Sequence, residues 1–341
     1  MKRLTIHLLL VIFGFTANVS AEIKLPKVFA DHMVLQRGQN VALWGWAEPG
    51  EAVQIQTPFE SQQLTANEDG KWMTRLRPMR AGGPIEITLK GTNEIVLKDI
   101  LIGDVWVCSG QSNMEWRVNS SNNSDEEIAN ADWPNIRLFD VKKTPKIDPA
   151  DDVELDAPWS ACTPESIPNF SAVGYFFGRK LHQELNIPIG LISTNWGGTR
   201  IEPWTPPAGF EAVDAVKEIP DNINRENYNQ GTPTALYNGM VHGLVPFSIK
   251  GAIWYQGESN RHDGMLYHEK MKALIAGWRK VFEQPNLPFY YVQLAPFIYK
   301  NDQPDVLPKL WQSQLATLSV PHTGMAVTTD IANSERYPPE K

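Results

Sequence analysis

The stretch "LIGDVWVCSGQSNMEW", Leu101 to Trp116, decides the fold. An apolar run of strand character, "LIGDVWVC", gives way to a glycine-bearing polar turn, and a serine follows between Gln111 and Asn113. Such a serine has two readings. It could cap a helix, since "SNME" sets Ser112 three residues before Glu115 in the form of a capping box. It could also present a hydroxyl for chemistry, and the rest of the chain decides between the two.

After Leu101, apolar runs alternate with helical periodicity. Ala172, Val173, Phe176, Phe177 and Leu181 fall on one helical face, and "IPIGLIST" follows as a strand. Then come the strand "IKGAIWYQ", the amphipathic segment "LYHEKMKALIAGWRKVFE", and the strands "PFYYVQLA" and "GMAVTTD". This alternation predicts an α/β domain over residues 101–341, a mostly parallel sheet with helices on both faces. Before it, residues 22–100 break into short runs such as "NVALWGWA" and "KWMTRLRP", separated by turn signals such as "EPGE" and "RAGG". That pattern predicts a small β-sandwich domain.

Residues 1–21 carry Lys2 and Arg3, an apolar core from Leu8 to Phe15, and Val19 and Ala21 placed for cleavage. They read as an export leader, which makes the protein secreted or periplasmic. The apolar core is shorter than the roughly 20 residues a spanning helix needs, so no membrane span is expected. Loss of Lys2 and Arg3 takes the formal charge from −8 to −10. An acidic chain of this kind is a poor partner for nucleic acid. Cys108 and Cys162 are the only cysteines and read as buried thiols. No histidine or cysteine spacing points to a metal or another cofactor.

In an open parallel sheet, ligands bind beyond the carboxyl ends of the strands. Three polar motifs fall at such ends: "SGQSNM", "TNWGGTRIEPW" and "QGESN". Together they supply what acyl transfer requires. Ser112 on a turn at a helix start is the candidate nucleophile. Gly198, chosen over Gly197, offers a backbone N–H unobstructed by a side chain. Gln256 offers a carboxamide, with Asn260 as its substitute.

These residues resemble a family. "GDVWVCSGQSNMEW", "GLISTNWGGTRIEPWTP" and "IKGAIWYQGESN" are similar to motifs of the sialate O-acetylesterase family of SGNH hydrolases, and "FADHMVLQR" and "LWGWAEPGE" resemble its preceding β-domain. The resemblance runs from about Leu25 to the end. It implies a flavodoxin-like three-layer α/β/α sandwich, no metal, and hydrolysis of acetyl esters on carbohydrates. By position it implies Ser112 as nucleophile, with Gly198 and Gln256 in the oxyanion hole. Glu258 of the same motif is given a structural role only. For a sugar substrate, Trp116, Trp196 and Trp204 are candidate stacking surfaces, and Arg200 could hold a sialic acid carboxylate. Core packing and a surface ion pair are the alternatives for these four.

The sequence departs from the family at one place. Where a D-x-H-P type motif supplies the aspartate and histidine of the triad, this chain reads "DIANSERYPPEK". Glu335 stands at the aspartate position and Tyr337 at the histidine position. A tyrosine of ordinary pKa, about 10, is a poor general base at neutral pH. His262, two residues beyond "QGESN", is the candidate substitute. The departure has two other readings, a fragment or altered end that lacks the closing part of the domain and a sugar-binding homologue without turnover; a separate reading is a glycosidase using Glu202 and Glu258 as paired carboxylates.

Overall fold

A computed structural model describes residues 22–331, so the expectations for residues 1–21 and for Glu335 and Tyr337 lie outside the described residues. The first strands are β1 (Val34–Gln36), β2 (Val41–Trp46), β3 (Ala52–Gln56), β4 (Ser61–Thr65), β5 (Lys71–Leu76) and β6 (Gly82–Lys90), followed by the long β7 (Glu94–Gly110). Alternation drives the short ones: in β3, Val53 and Ile55 point inward while Ala52, Gln54 and Gln56 face solvent. β2 and β5 pair as a two-stranded antiparallel sheet. β4, β3, β6 and β7 pair antiparallel in that order, and β1 joins β7 in parallel.

β7 serves two regions. Its first part pairs with β6, and Asp104 to Gly110 forms the centre of the parallel sheet. The expected boundary after residue 100 therefore falls inside one continuous strand, because "EIVLKDILIGDVWVCSG" contains no proline or turn signal to stop it. One buried apolar cluster runs through both regions, from Ile23 to Leu310. Residues 22–100 are thus a β flank welded to the parallel sheet through β7.

Beyond it lie β8 (Trp133–Val141), β9 (Leu155–Cys162), β10 (Ile189–Asn195), β11 (Gly251–Tyr255), β12 (Phe289–Val292) and β13 (Thr323–Ala326). The helices are α1 (Ser112–Glu115), α2 (Ser124–Ala129), α3 (Ala172–Leu185), α4 (Pro207–Glu211), α5 (Leu266–Val281) and α6 (Val306–Ala316). The sheet runs β13-β12-β11-β7-β10-β8-β9, parallel except for β9 at the edge. Numbered from β7 and leaving out β9, its parallel strands stand in the order 2-3-1-4-5-6. The flavodoxin order is 2-1-3-4-5. The fold is therefore a mixed α/β architecture with a large central sheet, and it differs from flavodoxin because β10 occupies the edge of β7 that β8 would take.

Helices cover both faces. Trp106 of β7 meets Phe177 of α3 edge-on at 5.0 Å, whereas Phe289 of β12 meets Trp278 of α5 at 5.8 Å. The register couples Trp106 to Gly251 and Val107 to Ala252, which itself faces Phe289. Trp106 and Phe289 therefore lie on opposite faces. α3 begins where Ser171 Oγ accepts the N–H of Gly174 and ends at Asn186 in the left-handed region. Cys108 and Cys162 are free, buried thiols, and burial pushes the Cys162 thiol up to about 12.

Candidate active site

The chain leaves β7 first towards β8 and β10 and later towards β11, so strand order reverses at β7, and the carboxyl ends of the central strands are where an open parallel sheet binds its ligand. Register sets the three candidate loops at one level. Gly110 pairs with Asn195 on one side and with Tyr255 on the other. Immediately beyond, the Gln111 N–H donates to Tyr255 O at 2.9 Å and the Trp196 N–H to Gly110 O at 3.1 Å. Gly110 is required there: its φ is 139°, and a Cβ would stand 2.2 Å from Tyr255 O.

Ser112 is the first residue of α1, with Gln111 in the cap position and making no side-chain cap. The capping-box reading is therefore not realised. Glu115 turns away from the helix start, and its carboxylate accepts the N–H of Gly197 and pairs with Lys143. The loop after β10 presses on Ser112, since a Cβ at Gly197 would lie 3.4 Å from Ser112 Cβ. Gly198 has φ +76°, and nothing stands within 4 Å of where its Cβ would be.

Gln256 departs from its expected role. It is wholly buried, its Nε2 donates to Thr199 O at 3.1 Å and to Asn260 Oδ1 at 2.7 Å, and its Oε1 accepts from Tyr267 at 2.7 Å. Both amide hydrogens are committed within the protein, so Gln256 braces the rim. Asn260 is committed likewise, donating to Glu202 and Asp263. Two residues of "GQSN" that sequence reasoning passed over do the linking. Gln111 Oε1 accepts the N–H groups of Gly257 and Ser259, each at 3.3 Å, and Asn113 Nδ2 donates to Glu258. The structural role expected for Glu258 is this link to the residue after Ser112.

Arg200 and Trp204 also depart from expectation. Arg200 donates to Glu202, to both oxygens of Asp263 at 2.9 and 3.0 Å, and to Ser259 O at 2.8 Å. Lys270, buried, completes the network with bonds of 2.7 Å to Glu202 and 2.6 Å to Asp263. A guanidinium so engaged is a strut between loops. Trp204 is wholly buried, bonded to Thr199 Oγ1 at 3.0 Å and packed edge-on against Trp254. Trp116 and Trp196 remain half-buried beside Ser112 and Gly197. Burial opposes ionisation of Glu202, but Arg200, Lys270 and Asn260 outweigh it and hold its pKa below the ordinary carboxylate range. A glycosidase acid needs the opposite shift, so Glu202 is unsuited to be the acid of that reading. His262 is exposed, with Nε2 3.4 Å from Asp302 Oδ1. Among the described residues no group of three or more His, Cys, Asp or Glu side chains is placed to hold a metal ion, and no helix is long and apolar enough to cross a membrane.

Below the rim, Glu115, Lys143, Asp140, Ser193 and Asn195 line a small polar pit. Burial, partly offset by a hydrogen bond from Ser193, pushes the Asp140 carboxyl up to about 6. A folded-state pKa above the unfolded value of about 4 means that the folded protein holds the proton more tightly. Its stabilising contribution is complete below about pH 4 and lost as pH rises through about 6. Asp140→Asn is expected to flatten the fall in Tm over that window; an unchanged slope contradicts this account.

A parallel sheet with its order reversing at β7, and serine, glycine and amide loops gathered there, is consistent with the fold of a carbohydrate esterase. A family model for carbohydrate esterases, described as sialic acid-specific acetylesterase, matches residues 102–337, and the chain belongs to that family. Human sialate O-acetylesterase is 33% identical to it over 89% of this chain and 64% of the human protein. The mouse sialate O-acetylesterase is 31% identical over 96% of this chain and 71% of its own length. A carbohydrate acetylesterase from Xanthomonas citri superposes with a TM-score of 0.85 at 36% identity, covering 94% of this chain and 72% of that one. The chain thus spans 64% of the length of the human relative.

Proposed function

We propose that the protein is a carbohydrate O-acetylesterase that removes acetyl groups from sugars, sialic acids among them, through Ser112. Ser112 Oγ attacks the acetyl carbonyl carbon and passes its proton to a base. The resulting oxyanion takes the N–H groups of Ser112 and Gly198, each such donor contributing on the order of 3 kcal/mol. Collapse expels the sugar oxygen, which takes that proton, and leaves an acetyl ester on Ser112. Water repeats the attack and releases acetate. Gln256 acts indirectly by holding the loop after β10, and Trp116 and Trp196 flank the sugar. We read residues 1–21 as an export leader and propose that the reaction takes place outside the cytoplasm. The observation that carries the reading is the shared register of Asn195, Gly110 and Tyr255, with Gly197 so near Ser112 that a Cβ added to it would lie 3.4 Å from the serine Cβ.

Acetate release from an O-acetylated sialoside tests the proposal. Turnover supports it. Stable binding of the intact ester without acetate release favours the second reading, a sugar-binding homologue, for which Tyr337 at the histidine position is the specific observation. Since a positioned base contributes about 10²–10⁴-fold, Tyr337→His is expected to raise the rate of acetate release by about 100-fold or more. No change in rate contradicts the placing of the base at position 337.

A further inference from the structure

We infer that Glu115 is a positioning residue for the reaction, fixing the Trp196–Gly197 peptide against the nucleophile and so anchoring the Gly198 N–H one unit further on; the inference rests on Ser112 being that nucleophile. Glu115 closes α1 three residues after Ser112, and its Oε2 accepts the N–H of Gly197. The contact is close, since a Cβ at Gly197 would lie 2.9 Å from Oε2 as well as 3.4 Å from Ser112 Cβ.

Two consecutive glycines have more backbone freedom than any other pair, and the positive φ of Gly198 lies in a region that glycine enters and leaves easily. Oxyanion stabilisation requires its donors to be fixed before charge develops. Glu115 supplies that fixing. An N–H bound to a carboxylate does not also serve an oxyanion, so this contact makes Gly198, not Gly197, the donor from the loop. Lys143, paired with the other oxygen of Glu115, compensates a negative charge that would otherwise oppose the oxyanion. Glu115 itself does not touch substrate.

The test compares Glu115→Ala, which removes the acceptor, with Glu115→Gln, which keeps one. Amide exchange at Gly197 and Gly198, read by NMR in the full chain, is expected to be about 10-fold or more faster in the alanine variant. Acetate release should show kcat lowered by about 10-fold or more, with KM within about twofold, because the lost fixing bears on the transition state. Glutamine should recover most of both. A variant that melts earlier yet keeps parental kcat, or alanine and glutamine variants that fall alike, would overturn the inference, as would unchanged exchange at the two glycines. Ser112→Ala keeps Glu115 and so reads the other question: full activity in that variant sinks the nucleophile itself, whereas loss there with parental kcat in Glu115→Ala sinks only the positioning role.

Discussion

In a Tyr337→His background, where the base is supplied, Ser112→Ala lowers the rate of acetate release by at least about 10³-fold, with KM for the acetylated sugar nearly unchanged. Removing the hydroxyl removes the covalent step and leaves the loops in place. The alanine methyl fits the same space, and the rim is held by other groups: the Gln111 N–H on Tyr255 O, the Trp196 N–H on Gly110 O, and Gln256 between Thr199 and Asn260. The variant should melt close to the parent. Near-parental turnover with normal folding would assign the chemistry to another residue.

Lys270→Met destabilises the fold by about 3–5 kcal/mol, the cost typical of removing one partner from a buried ion pair. Lys270 is 5% exposed and bonded to two carboxylates, Glu202 and Asp263, which otherwise share the guanidinium of Arg200 and the neutral carboxamide of Asn260. Methionine fills the volume but leaves an uncompensated buried negative charge. Burial opposes ionisation of both acids, yet Arg200, Lys270 and Asn260 outweigh it and lower both pKa values. Carboxylates with lowered folded pKa contribute stability that is complete above the unfolded value of about 4 and lost as pH falls through the folded value. The gap between parent and variant in urea unfolding should therefore be full at pH 7 and shrink below about pH 4. A gap under about 1 kcal/mol at pH 7 would make the network no more than a surface ion pair.

Sequence reading placed the rim well and the side chains on it poorly. Apolar runs ending in "DVWVCSG", "GLISTN" and "AIWY" mark where β7, β10 and β11 stop, because buried parallel strands are long in apolar residues and their ends are not. The loops therefore had to leave from one edge of the sheet. What no run of letters contains is the partner of each polar group. Gln256, Arg200 and Trp204 are chemically suited to a substrate and sit at strand ends, yet each is engaged within the protein by a partner that spacing alone does not reveal, Asn260, Asp263 and Thr199 respectively. Glu115 shows the same limit: its spacing from Ser112 fits a capping box, but its carboxylate takes the N–H of Gly197 instead.

The helix face read from α3 packs on the core, with Ala172 buried, but its deepest line lies to one side. Val173, Phe176, Phe177 and Leu181 are half-buried, while Gly174, Tyr175 and Gly178 lie deepest, since glycines let the helix approach β10. Apolar periodicity counts large residues and overlooks small ones. β8 passed unread because Arg137 interrupts it with a charge. In the fold Arg137 is buried and paired with Asp99 at 2.7 Å. The continuous β7 blurred the expected domain boundary for a related reason, as one strand can belong to two neighbourhoods.

The most direct measurement is intact and peptide mass after treatment of the full chain with a fluorophosphonate, which phosphonylates a serine only when its hydroxyl is activated beside donors for the charged oxygen. The account predicts one adduct, on the peptide containing Ser112, absent from Ser112→Ala. An unlabelled protein, or an adduct on a different serine, would contradict it.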